Sequence, residues 1–158
     1  MLSFPTQSIT AAAVQVNGEL DRDDAVWIEG DTRPIKAIRL TGRVSVAGLG
    51  RFYFNGRLAG QAVAECTRCL QDVEMEVGAE SHFIFADSET EQDGDPDVYP
   101  LTIGRQGTSV DLRPPLREQW VLEVPAFVLC SPDCKGLCPT CGAKLNQGAC
   151  SCAPQATE

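Results

Sequence analysis

The sequence predicts an α+β fold: an antiparallel β-sheet, one short helix and a cysteine-rich C-terminal segment. Three observations carry this. Apolar and polar residues alternate at a period of two in successive stretches between Ile35 and Phe85. One apolar run, Leu116, Trp120 and Val124, recurs at helical spacing. All eight cysteines fall into four close pairs.

The first strand-like stretch is Ile35 to Val46, where Arg39, Thr41 and Arg43 alternate with Leu40, Val44 and Val46, and Gly42 suggests a bulge. Gly48-Leu49-Gly50 is a turn signal. Beyond it Arg51 to Glu65 alternates again, with Phe52 and Phe54 on one face and glycines interrupting the period, which reads as a strand pair. From Val73 to Phe85 one buried and one acidic face alternate, completing an antiparallel meander. Residues 87–97 hold no apolar residue that burial could use to offset ordering, and are expected to form an acidic flexible loop. The Asp111-Leu112-Arg113-Pro114-Pro115 run suits a first helical turn, so a helix is expected near Leu116 to Glu123, ending before Pro125.

The 158 residues and 43% hydrophobic content suffice for one domain with a real core, expected over 1–153 with a tail at 153–158. The first residues lack the basic start and apolar run of a signal peptide, and no later segment approaches a membrane span. A cytoplasmic protein without a membrane partner or small-molecule substrate is expected. The net charge is −9, but it is unevenly spread. Arg33 to Arg68 carries seven basic residues against Glu65, whereas Cys69 to Leu101 carries ten acids and no Lys or Arg. The basic stretch is either the solvated face of a sheet or a nucleic-acid face contacting phosphate through Arg39, Arg43, Arg51 and Arg57.

The cysteines are Cys66, Cys69, Cys130, Cys134, Cys138, Cys141, Cys150 and Cys152. In a reducing compartment, close pairing suits metal chelation better than disulfides. Cys138-Pro139-Thr140-Cys141-Gly142 resembles a zinc knuckle, whose two-residue spacer aims both sulfurs at one ion while the glycine permits a tight turn. Cys150 and Cys152 project to one side of an extended chain and can complete a four-sulfur site. Cys66 and Cys69 form a second knuckle, with Cys130 and Cys134 as its distant partners. An interleaved arrangement joining Cys66 and Cys69 to Cys138 and Cys141 is also allowed, but sequential quartets close their loops with less entropy. One or two zinc ions are expected. Residues 130–152, broken by glycine and proline with little else apolar, would then be a zinc-binding segment that needs its metal. Buried reduced thiols are the bland alternative. A thiol oxidoreductase is a third reading, weakened because no long helix follows Cys138 to lower its pKa.

Arg68, Lys135 and Lys144 are so placed in sequence that they can offset the thiolate charge. His82, the only histidine, has no neighbouring nucleophile or acid motif and reads as a packed or edge residue. The acidic run at Asp93 to Asp97 does not fit a calcium loop.

Several segments together resemble the YceD family of large ribosomal RNA subunit accumulation proteins: Cys66-Thr67-Arg68-Cys69-Leu70, Asp111-Leu112, Arg117-Glu118-Gln119, and Cys134 through Asn146. The resemblance runs from about Leu40 to Cys152. It implies a role in synthesis, processing or stability of 23S ribosomal RNA, hence in large ribosomal subunit assembly, and brings no catalytic residues. It also implies that the Cys138 to Cys152 site is dispensable to the shared fold, since some members lack that cluster. The expectation is a non-enzymatic factor contacting ribosomal RNA or a ribosomal protein. The alternative is an adaptor whose acidic segment meets a basic ribosomal protein.

Overall fold

The computed structural model describes residues 1–87, 97–105 and 107–152. In chain order the elements are β1 (Ser3–Pro5), α1 (Thr6–Ala11), β2 (Val14–Leu20), β3 (Ile38–Gly48), β4 (Arg51–Glu65), β5 (Asp72–Ala86), β6 (Val98–Pro100), β7 (Thr102–Gly104), β8 (Gly107–Asp111) and α2 (Arg113–Glu123), followed by a 3-10 turn at Leu145–Gln147. The chain divides into two units. The first comprises Met1–Ala62 and Glu76–Val124, the second Val63–Met75 and Pro125–Glu158.

In the first unit the period-two pattern works as read. β3 buries Ile38, Leu40 and Val44 while Arg39, Thr41 and Arg43 stay exposed, and β4 buries Phe52, Phe54, Leu58 and Ala62. The strands order β2-β3-β4-β5-β6. β2 runs antiparallel to β3, and β3 to β4. Contacts between β4 and β5 run Tyr53 to His82 and Gln61 to Glu76, so that pair is antiparallel too. β6 pairs parallel with β5, Ile84 opposite Val98. The expected antiparallel sheet is therefore a mixed sheet. A second sheet, β1-β8-β7, was not read from the sequence.

Two local expectations also change. Arg51–Glu65 is one continuous strand, not a strand pair. Gly42 makes no bulge; the register shifts between Val46 and Gly48. Gly42 instead faces Gly56, and a Cβ on Gly42 would come 2.6 Å from the Gly56 Cα and 2.9 Å from the Phe54 ring. The two glycines let the strands and that ring close up, and their interruption of the alternation is a packing requirement.

α2 is preceded by Asp111, the last residue of β8, whose carboxylate accepts the Arg113 backbone N–H at 3.0 Å and the Arg113 guanidinium at 2.7 Å. It ends at Val124, which sits extended because Pro125 follows. Its buried face holds Leu116 and Trp120, both fully buried. Burying a large apolar side chain contributes on the order of 1.5–3 kcal/mol. Three consecutive residues then fasten α2 to three segments. Arg117 grips Asp31 at 2.6 and 2.7 Å, Glu118 accepts from the Tyr99 hydroxyl of β6 at 2.8 Å, and Gln119 donates to the Glu80 carbonyl of β5 at 2.7 Å. Trp120 adds a hydrogen bond from its indole to the Thr32 carbonyl. The Arg117 hydrogen bond holds the Asp31 carboxyl below its ordinary range, against the opposing effect of burial.

The second unit has few buried apolar residues. Cys66, Cys69 and Cys134 form its buried cluster, with Val73, Cys130 and Leu137 packed against them. Of the acidic loop expected at 87–97, residues 88–96 lie outside the described residues, as does the tail at 153–158. No helix among the described residues is long and apolar enough to cross a membrane.

A depressed Asp31 pKa adds stability that is complete well above the ordinary carboxyl value and is lost as the pH falls through the folded value. Arg117→Ala should therefore lower the denaturant midpoint at pH 7. The gap from wild type should narrow as the pH drops below 3.8, the ordinary carboxyl value. Urea titrations at the two pH values read this directly.

Candidate functional sites

Both knuckles use one backbone arrangement. In the first, Leu70 N–H donates to the Cys66 carbonyl at 2.9 Å, and Cys66 N–H donates to Gln71 at 2.8 Å. In the second, Gly142 N–H donates to Cys138 at 2.8 Å, and Cys138 N–H donates to Ala143 at 2.9 Å. The residue after each second cysteine takes a positive φ, 72° at Gly142 and 58° at Leu70. Leu70 thus occupies a glycine position, at a backbone cost of roughly 1–2 kcal/mol.

The sulfurs of Cys66, Cys69, Cys130 and Cys134 all lie within 4.8 Å of one another, and so do those of Cys138, Cys141, Cys150 and Cys152. These are the sequential quartets; the interleaved arrangement is not the one adopted. Cys66 and Cys134 are 3.7 Å apart, Cys69 and Cys130 3.6 Å. A tetrahedron with metal–sulfur bonds of about 2.3 Å has edges of about 3.8 Å, so these two edges of the first quartet match those of a zinc site. Local chain structure puts it there. Thr67 N–H donates to the Val128 carbonyl at 2.9 Å, bringing Cys130 beside the Cys66 turn, and Arg68 donates to the Cys134 carbonyl at 3.0 Å.

Thiolate charge is shared unequally within each quartet. Burial raises the Cys66 thiol, but backbone N–H groups of Cys130, Cys69 and Arg68 outweigh it and bring the pKa to about 6. Cys130 is pushed up to about 12, chiefly by Cys134 and Cys69. In the second quartet Cys138 falls to about 6 through the N–H groups of Cys141 and Thr140, while Cys141 drives Cys152 up to about 12. Some thiols ionise readily and then oppose ionisation of the rest. A dication at the centre removes that opposition.

Asn146 belongs to the loop between Cys141 and Cys150 yet serves the first quartet. Its amide N–H reaches Cys134 Sγ at 3.2 Å and Cys130 Sγ at 3.6 Å, and its Oδ1 accepts the Lys135 N–H at 2.7 Å. This amide is the chief cause lowering the Cys134 thiol. Of the cations suggested by sequence, Arg68 bonds the Cys134 carbonyl and lends its backbone N–H to Cys66, Lys135 gives its backbone N–H to Asn146, and Lys144 forms a backbone bridge with Leu137. An asparagine 12 residues from Cys134 gives no spacing signal.

The arginines lie on the outer face of the sheet in the first unit. Arg57 is opposite Thr41, placing it diagonal to both Arg39 and Arg43, whereas Arg51 is at the far end of β4, opposite Gly48. Three of the four come together and the fourth stands apart. Arg39 lies 3.8 Å from Glu19 in an exposed pair. His82 is exposed on β5, with its Nδ1 2.7 Å from the Tyr53 hydroxyl.

Residues 54–158 match the family described as large ribosomal RNA subunit accumulation protein YceD. The chain belongs to the YceD family. An uncharacterized protein of Mycobacterium tuberculosis H37Rv is 37% identical over 92 residues, 57% of this chain and 43% of that protein. The chain thus spans less than half the length of those mycobacterial relatives. The maize large ribosomal RNA subunit accumulation protein YCED homolog 1, chloroplastic, is 37% identical over 67 residues, 40% of this chain and 23% of that one. The uncharacterized protein YlbN of Bacillus subtilis is 26% identical over 123 residues, covering 76% and 67%. No solved structure matches.

Two outcomes are expected for this YceD-family chain. Asn146→Ala should weaken metal binding at the first quartet about tenfold, the lower end of the loss from removing a hydrogen bond to a ligand, measured by competition with a chromogenic chelator. Leu70→Gly should relieve the backbone strain at a smaller entropic cost. The expected net gain is about 0.5–1 kcal/mol, measured by denaturation of the metal-loaded protein.

Proposed function

We propose that this chain is a non-enzymatic, zinc-stabilised cytoplasmic factor acting in synthesis, processing or stability of 23S ribosomal RNA and so in large-subunit assembly. The observation that carries the reading is the family match over residues 54–158. The maize relative's name, which refers to accumulation of large-subunit RNA, points the same way. The geometry favours a structural metal role. Four sulfurs would close the shell of an ion held in each quartet and leave no position for a substrate, as in structural rather than catalytic zinc sites. Cys138 is lowered by the knuckle's own N–H groups, but its sulfur lies within 4.8 Å of three other thiols and not one partner, which suits chelation better than dithiol exchange.

RNA contact is assigned to Arg39, Arg43, Arg51 and Arg57, which share the outer face of β3 and β4. Charge on that face can neutralise phosphates despite the acidic net charge. The test is RNA affinity at low salt for wild type and for the variant with all four arginines changed to Glu, with zinc measured on the same preparations. Loss of binding with about two zinc ions per chain retained supports the reading. Unchanged affinity removes these arginines as contacts, and metal-free protein with reactive thiols removes the zinc.

A further inference from the structure

Tyr53 and His82 form an aromatic unit that the metal sites do not use. Their rings lie 13° from parallel with centroids 6.1 Å apart, a separation close to that of two rings joined end to end through the 2.7 Å hydrogen bond between the Tyr53 hydroxyl and His82 Nδ1. The rings therefore meet edge to edge and make one broad flat surface. The hydrogen bond fixes their relative orientation, so little rotamer freedom remains to be lost on binding.

The surroundings are electrostatically divided. On one side, Arg43 opposes Asn55 on β4, which makes it a diagonal neighbour of both Tyr53 and Arg57. On the other, Tyr53 and His82 form part of a cleft of about 560 Å³ whose walls include Tyr99, Leu122, Glu80 and Glu118. Carboxylates in that cleft repel phosphate but accept hydrogen bonds from the N–H groups of a nucleobase. The arginine side attracts phosphate. A polymer with an anionic backbone and detachable flat bases fits both halves at once.

We infer that this face binds single-stranded RNA, with the backbone over Arg39, Arg43 and Arg57 and an unpaired base on the Tyr53–His82 surface beside the acidic cleft. The inference rests on the RNA reading above and adds the strandedness and the mode of recognition. A duplex keeps its bases stacked on one another and offers no free base face, so it can use only the arginines. Aromatic stacking tolerates any base, whereas the cleft's acceptors favour bases that present N–H donors.

The experiment is fluorescence anisotropy with a labelled single-stranded RNA and its duplex, at low and moderate salt. It uses the full chain and the variants Tyr53→Ala/His82→Ala, Tyr53→Phe and the four-arginine variant. Each is first checked for wild-type far-UV circular dichroism and zinc content. Wild type should prefer the single strand. The double alanine variant should lose about tenfold or more on the single strand and little on the duplex, while Tyr53→Phe, which keeps the ring, should retain most of the affinity. The four-arginine variant should lose both ligands and show a shallower salt dependence. If wild type binds both RNAs equally, or the double alanine variant binds like wild type, the stacking surface is refuted and the RNA reading stands. If wild type binds neither RNA at low salt, both fall together.

Discussion

Four thiols held within 4.8 Å of one another repel as soon as more than one ionises, and the second unit has almost nothing else buried to hold them. Its order depends on what neutralises that charge. Backbone N–H groups from the two knuckles and the Asn146 amide meet part of the requirement, and a dication would meet the rest. Where a larger domain would use a layer of leucines, this unit uses sulfur. That is the expected solution for a segment punctuated by glycine and proline, whose apolar content cannot offset the entropy of ordering it.

The first unit solves its problem in the usual way, with a buried sheet face beneath Leu116 and Trp120. Its specificity comes from polar fastening. Arg117, Glu118 and Gln119 each reach a different segment, and Trp120 adds a fourth tie through its indole. Shape alone would let a short helix slide or rotate over an apolar surface. A bidentate ion pair and three directed hydrogen bonds leave one docking position. The outer face of the same sheet carries the exposed side chains of Arg39, Thr41 and Arg43.

What was legible in the sequence was what local periodicity or loop closure determines. Alternation located β3 and β5, helical spacing located α2, and short loops favoured the quartets that the sulfurs adopt. β6 was missed because three residues, Val98 to Pro100, carry no period, and its parallel direction depends on a connection no local rule describes. β1 was missed because three residues gain their meaning only from β8, more than a hundred residues away, and the short β7–β8 hairpin was missed because three-residue β7 carries no period either. Leu70 could not be recognised as a left-handed residue, since a leucine there contradicts propensity and is held by its two neighbouring hydrogen bonds. Gly42 was read as a defect of one strand when it is half of a facing pair. Its reason is on β4.

The reach of Asn146 has a kinetic corollary. The second quartet closes over a short stretch of chain, Cys138 to Cys152, whereas the first must bring Cys69 to a cysteine 61 residues further on. Loop closure favours the shorter circuit, and contacts close in sequence form sooner. The local quartet is thus the natural nucleus, and once shaped it presents an amide donor where the long-range quartet will gather. On loop-closure cost alone, the last part of this chain would be the cheaper to order, and Asn146 would then stand ready for a site whose first ligand, Cys66, lies far upstream.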